Sequence, residues 1–349
     1  MTAGLLALLA LVFLAANGLT RLLCSPASRL YHLDHPNERS LHAEPLPRTG
    51  GLAIFGSILL GIIVTVALGE GAIFQANEIL WILSMVLLVG AVSFWDDRAG
   101  LSPGLRLGVQ ALAAGGVTCG AGLTVTTIPV PLLGSLTLGW LAVPVTMLFL
   151  MWMANLYNFM DGMDGFAGGM TVIGCGLLGY LGWQAHHPVI AVIATLQSAA
   201  AAGFLVHNFP PAKIFMGDVG SASTGFLAAV LIVLGCRDRV FDLWVPLIVF
   251  SPFILDATVT LARRALRHEK VWEAHREHYY QRLVLRGWGH RRTVLAEYGV
   301  MALCGGFALL YQYASEEWRL VILGFWGVLF LSLAFAVRGG EQRIQHVGS

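Results

Sequence analysis

The sequence predicts an all-α integral membrane protein with about eleven transmembrane helices, its N-terminus outside and its C-terminus cytoplasmic. Three observations carry this reading. The 349 residues are 57% hydrophobic and only 12% charged, about half the charge of a soluble domain. Apolar runs long enough to cross a bilayer lie near 2–23, 50–69, 78–95, 105–122, 138–156, 166–184, 188–206, 219–236, 242–262, 293–312 and 319–337. Apart from Arg237, Arg239 and Arg319, the Lys and Arg residues, 21 in total, belong to the connections after odd-numbered runs or to the C-terminal tail, the asymmetry that marks the cytoplasmic side. There is no internal repeat and no linker, so residues 1–349 read as one polytopic membrane domain.

In chain order, the first run has no basic residue before it and Arg21 after it, which predicts a span rather than a cleavable signal peptide. The connection that follows runs from Asp34 to Gly51 and is punctuated by Pro45, Pro47, Gly50 and Gly51, predicting an ordered non-helical loop that carries Arg48. Run 3 ends in Trp95-Asp96-Asp97-Arg98. On a continuing helix the two acids point about 100° apart. Ionised carboxylates at a span edge need a cation, a metal or water; a solvated helix end with Arg98 as neighbour accounts for them equally well. Residues 122–138 place β-branched residues around Pro129, Pro131 and Gly134, predicting a small external hairpin.

Run 5 ends in Asn155-Leu-Tyr-Asn158-Phe-Met-Asp161-Gly-Met-Asp164-Gly165. Asn155, Asn158 and Asp161 fall on roughly one third of a helix circumference, and oxygen donors beside a yielding glycine backbone suit a hard cation or a phosphate. Run 8 opens with Lys213-Ile-Phe215-Met-Gly-Asp218-Val-Gly-Ser221. Asp218 at a helix start reads either as an N-terminal cap or as a ligand for Mg²⁺, which takes one or two carboxylates and leaves sites for phosphates.

Asp256, inside run 9, must face protein or water; it reads as functional, or as a buried structural pair with an arginine. The basic segment 263–292, a cytoplasmic loop expected to contribute to the site, carries His275 and His278. Zinc would need further ligands there; a lipid-headgroup patch or a grip on substrate phosphate are the other readings. The five cysteines have no C-x-x-C spacing and read as small apolar residues. The acids sit at cytoplasmic span ends rather than at the bilayer midplane, where transporters place their sites. That geometry suits an enzyme joining a soluble substrate to a lipid headgroup rather than a transporter or scaffold, with no nucleic-acid partner.

Six motifs stand in order over residues 30–290: Pro45-x-Pro47-x-x-Gly-Gly51, Asp96-Asp97, Asn155-x-x-Asn158-x-x-Asp161-Gly-x-Asp164-Gly, Pro211-Ala-Lys213-Ile-Phe-Met-Gly-Asp218-x-Gly-Ser, Pro252-x-x-x-Asp256, and His275-x-x-His278-x-Tyr-Gln-Arg-Leu283. Together they resemble the polyprenyl-phosphate N-acetylhexosamine-1-phosphate transferases. The resemblance implies transfer of a sugar-1-phosphate from a UDP-N-acetylamino sugar to undecaprenyl phosphate, at the cytoplasmic face of a bacterial inner membrane, with Mg²⁺ or Mn²⁺ as cofactor and room for a homodimer. It implies that Asp218 and Asn158 hold the metal. Asp96 or Asp97 would be the base toward the lipid phosphate. Asp161, Asp164 and Phe215 would line the uridine side; Asn155, Lys213, Arg48, Asp256, His275, His278 and neighbouring arginines would contact substrate. Glu277 stands where many relatives carry a histidine, and Tyr280-Gln281-Arg282 looks like the branch that initiates lipopolysaccharide O-antigen. Phospho-MurNAc-pentapeptide transfer is the alternative within the family.

Overall fold

A computed structural model describes residues 3–36, 41, 42, 44–74, 77–271 and 275–347. Among the described residues the regular structure is helical, apart from two small antiparallel strand pairs. Its helices are α1 (Ala3–Leu23), α2 (Gly50–Ala67), α3 (Asn77–Ala99), α4 (Pro103–Gly115), α5 (Ala142–Met160), α6 (Phe166–Gln184) and α7 (Pro188–Asn208). They continue with α8 (Gly217–Arg237), α9 (Trp244–Val249), α10 (Ser251–Leu266), α11 (Tyr279–Leu283), α12 (Gly289–Tyr313) and α13 (Glu316–Val347).

Among the described residues nine helices are long and apolar enough to cross a membrane, against eleven runs in the sequence. Both missing runs are helical but broken. The run near 105–122 becomes α4 followed by a π-helical turn at Gly116–Gly120, in a stretch where Gly115, Gly116 and Gly120 weaken the helix. The run near 242–262 breaks at Phe250 between α9 and α10, because Pro252 supplies no N–H to the preceding turn. The chain is an all-α membrane protein.

Helix α8 is the axis of the fold: 94% of its span window is buried inside the protein, and it packs on α2, α3 and α5. Small residues let its neighbours approach. A Cβ on Gly225 would lie 2.5 Å from the Met153 carbonyl of α5, and α6 meets α7 through Gly179 and Gly182, the close packing that small residues give membrane helices. By contrast α13 has only 6% of its span buried. The predicted hairpin is present as β3 (Thr127–Val130) paired with β4 (Gly134–Thr137).

The Asp34–Gly51 loop is held by the pairing of β1 (Leu33–Asp34) with β2 (Leu46–Pro47). It is zipped onto the segment before α8: Phe215 N–H donates to the Pro47 carbonyl at 2.7 Å, and Gly50 and Gly51 donate to Phe215 and Met216 at 3.0 and 2.7 Å. The double glycine follows from this contact. A Cβ on Gly51 would stand 2.2 Å from the Gly220 nitrogen, so only glycine permits the approach. The zipper brings Arg48, Phe215 and Asp218 to one end of the bundle.

Candidate active site

Helix α8 starts without a cap of its own, since the Met216 side chain makes no capping bond. Its first N–H groups are satisfied from outside. Asp97, at the end of α3, accepts from the backbone nitrogens of Asp218 and Val219, each at 3.1 Å. The same carboxylate accepts from Arg48 Nε at 3.0 Å and Nη2 at 2.6 Å. Gly217, at φ +72°, would put a Cβ 2.2 Å from the Arg48 carbonyl, so this junction also requires glycine. Asp97 thus caps α8 and clamps the Arg48 loop, a negative charge at the positive N-terminal end of the helix. It lines neither of the clefts described next.

Asp96 points elsewhere, as neighbouring helical positions must. Its Oδ1 accepts from Leu101 N–H at 2.7 Å, across the Gly100 turn, and its Oδ2 faces Arg106 Nη1 at 3.1 Å. Arg106, on α4, lies 3.7 Å from Asp218 Oδ2 as well, so one guanidinium nitrogen serves two carboxylates. The Asn158 amide donates to Asp218 Oδ1 at 2.8 Å and to Ser221 Oγ at 3.2 Å. Among the described residues no group of three or more His, Cys, Asp or Glu is arranged as a metal cage. Mg²⁺ asks for less. Two carboxylates converging on one cation, with an amide beside them, fit that ion.

Two clefts meet at this point. A narrow pocket of about 30 Å³ is lined by Asp96, Arg106, Gln110 and Asn155, with Val89, Val92 and Val109 as its apolar wall. A wider cleft of about 300 Å³ is lined by Asp34, His42, Arg48, Asp161, Asp164, Asn208, Phe215, Gln281 and His290. Asn158 and Asp218 line both. The motif on α5 therefore spreads along the line between them. Asn155, whose amide donates to Gln110 at 2.6 Å, faces the narrow pocket, Asn158 the partition, and Asp161 the wide cleft.

The expected helix face does not extend through Asp161, because α5 ends at Met160. Burial, with the negative Asp218, Asp97 and Asp34 around it, holds the Asp161 carboxyl well above the usual carboxylate range. Asp164 accepts from Ala212 N–H at 3.0 Å and sits 2.9 Å from His290 Nδ1. Phe215 packs its ring on His42, centroids 4.6 Å apart.

Four expected substrate contacts lie outside both clefts. Lys213 is exposed beyond the rim. Asp256 is buried, and accepts from the backbone nitrogens of Tyr279 and Tyr280 at 3.0 and 3.2 Å, from Thr260 at 3.1 Å, and pairs with His278 Nδ1 at 3.1 Å. It caps α11 from α10 rather than pairing with an arginine. His278 is spent in the same contact, and the His275 ring packs against it, tilted by 38° with centroids 4.8 Å apart. The segment 263–292, of which 272–274 lie outside the described residues, reaches the wide cleft through Gln281 and His290 instead. Sequence reasoning also missed Arg106, Asn208, Asp34 and His42. Arg106 had a signal: a lone cation in the first turns of α4, where the helix dipole disfavours it.

Residues 79–236 match the family described as Glycosyl transferase family 4. The chain is 33% identical over 354 residues to the decaprenyl-phosphate N-acetylglucosaminephosphotransferase of Mycobacterium tuberculosis (strain ATCC 25618 / H37Rv), covering 90% of this chain and 86% of that one. It belongs to the polyprenyl-phosphate N-acetylhexosamine-1-phosphate transferase family. A probable undecaprenyl-phosphate N-acetylglucosaminyl 1-phosphate transferase of Bacillus subtilis (strain 168) is 29% identical over 316 residues, 90% of this chain and 86% of the relative. A phospho-N-acetylmuramoyl-pentapeptide-transferase of Thermosynechococcus vestitus is 31% identical over 258 residues, 66% of this chain and 64% of the relative. This member of the family is a membrane-embedded phosphotransferase.

Proposed function

We propose that the protein transfers N-acetylglucosamine-1-phosphate from its UDP-sugar to undecaprenyl phosphate, giving undecaprenyl-pyrophosphoryl-N-acetylglucosamine and UMP. One observation supports this above the others: a narrow pocket with an apolar wall and a wide polar cleft share Asn158 and Asp218 as their common partition. The wide cleft is of ligand size, and its amides, carboxylates and the Phe215 ring suit a nucleotide sugar. The narrow pocket suits a phosphate at the end of a hydrocarbon chain. A lipid phosphate entering there requires Arg106, whose side chain is 40% exposed, to release its two carboxylates and become the phosphate's counter-ion.

At the partition a lipid phosphate oxygen forms a bond to the sugar-proximal phosphorus of the UDP-sugar, and the bond from that phosphorus to UMP breaks. Bound Mg²⁺ would neutralise the pyrophosphate there, held by Asp218 with Asn158 beside it. Most of the catalysis is positioning and charge neutralisation. Asp96 takes the base role rather than Asp97, whose oxygens are occupied by Arg48 and the start of α8. Arg48, fixed by Asp97, faces the wide cleft as a cation for the nucleotide phosphates. Donor choice rests on the relatives' names, and the Tyr280-Gln281-Arg282 run supports an O-antigen or related envelope-glycan pathway. The basic connections support a bacterial inner-membrane location with both clefts on the cytoplasmic side.

The test is a donor panel on the purified chain with undecaprenyl phosphate, separating lipid products and UMP. UDP-N-acetylglucosamine should give both, and removal of divalent metal with EDTA should abolish them. Product from the UDP-MurNAc-pentapeptide instead would transfer the reading to the peptidoglycan branch; uptake into vesicles with no lipid-linked product would restore a transporter.

A further inference from the structure

We infer that the β3–β4 hairpin is a lipid-binding surface, set into the headgroup–acyl boundary of the leaflet at the end of the bundle opposite both clefts. The hairpin joins the far ends of α4 and α5. Its inner side is fixed to the protein. The Trp244 indole donates to the Pro129 carbonyl at 2.7 Å, Val125 N–H donates to the Thr146 hydroxyl at 2.9 Å, and Ile128 and Leu138 pack against the core. Its outer side is turned away from the bundle, and every residue of β4 is exposed. Leu132 and Leu133 form the tip, Leu136 stands on β4, and Trp140 follows it; Leu133 is 85% exposed and Trp140 84%.

A single exposed leucine needs no explanation; a whole connection without charge does. From Leu107 to Met160 the chain has no Asp, Glu, Lys, Arg or His. The other connections at this end of the bundle are different. Glu70 lies between α2 and α3, His187 between α6 and α7, Asp238 and Arg239 between α8 and α9, and Glu316 opens α13 after α12. Those turns carry groups that water solvates, whereas the hairpin offers aliphatic side chains and an indole. Its apolar surface continues into Val143 and Leu148, exposed on the membrane-spanning α5, so lipid covering that helix reaches the hairpin without a break. Trp140 stands at the junction, where tryptophan favours the membrane–water boundary. The strands also limit the depth. Among the described residues β4 pairs with β3 alone, and its open edge must keep its backbone groups in reach of water. The occupant is therefore the headgroup–acyl boundary, with the leucines buried and the strand edge wet. The rival is a second copy of this chain, paired edge to edge through β4.

The experiment is photo-crosslinking of the full chain in phosphatidylcholine liposomes, with benzoylphenylalanine in place of Leu133 or of Leu136, followed by intact-mass measurement. Both positions should gain the mass of one phospholipid, at a yield about tenfold above that from the same photoprobe in place of Glu317. Leu132→Asp/Leu133→Asp should lower the adduct at position 136 severalfold, because charge at the tip resists burial in lipid. A melting curve matching the wild type establishes that each variant is folded, and the two single-probe chains decide the matter without the acidic pair. Adduct yields at 133 and 136 no greater than at 317 would overturn the inference. So would covalent dimers of the chain as the main product, which would give the outer face to a second copy. None of these results depends on which sugar the enzyme transfers.

Discussion

Asp96 and Asp97 are adjacent in sequence and separate in duty, and substitution should divide them. Asp97→Asn removes the charge that pairs with a half-buried Arg48 and one of the two oxygens that accept from the start of α8. Breaking a buried ion pair from one side costs about 3–5 kcal/mol, so this variant should lose thermal stability along with activity. Asp96→Asn should keep its melting temperature within a few degrees and lose turnover by about 100-fold, with unfolding curves and initial rates measured on the same preparations. Arg106→Gln belongs with Asp96: its KM for the lipid should rise while its KM for the nucleotide sugar stays near the wild-type value. If Arg106→Gln changed only the nucleotide KM, the assignment of the two clefts would be reversed. The paired acids were legible in the sequence, but their division was not, because it depends on α8 arriving from 120 residues away to take one of them.

At the scale of elements, the site is a set of helix ends fastened to one another. The Gly51–Gly220 crossing is among the tightest of these, and Gly51→Ala must push backbone against backbone. Overpacking of this kind costs about 1–3 kcal/mol, measurable as a lower unfolding midpoint. The loop before α11 carries a second prediction. Burial, together with His278 and Arg264, pushes His275 down to about 4. A histidine whose folded value is depressed below its unfolded value of about 6.5 costs nothing above that pH. It costs stability as pH falls from about 6.5 toward 4, because the unfolded chain then binds the extra proton. His275→Gln should flatten that acid-side loss of melting temperature, with no effect above neutrality. The residues alone left zinc, a lipid headgroup and substrate phosphate open for His275 and His278, and only the family resemblance implied substrate contact. Asp256, hidden one helix away in an apolar run, is what turns His278 inward.

For the whole molecule, composition and apolar runs were enough to give an all-helical membrane protein, and the six motifs were enough to give its family. The two broken spans were not legible, since hydropathy averages over the Gly116 and Pro252 interruptions that shape the bundle near the site. Nor was the meeting of two clefts at Asn158 and Asp218, which requires the spatial order of α3, α4, α5 and α8 rather than their order in the chain. That meeting is the central claim: both substrates are held at once and the sugar phosphate passes directly between them. Initial-rate kinetics with UDP-N-acetylglucosamine and undecaprenyl phosphate, each varied against the other, test it most directly. Intersecting double-reciprocal lines, with no exchange of labelled UMP into the nucleotide sugar when lipid is absent, are the expected result. Parallel lines, with rapid lipid-independent UMP exchange, would reveal a covalent enzyme intermediate and contradict the account.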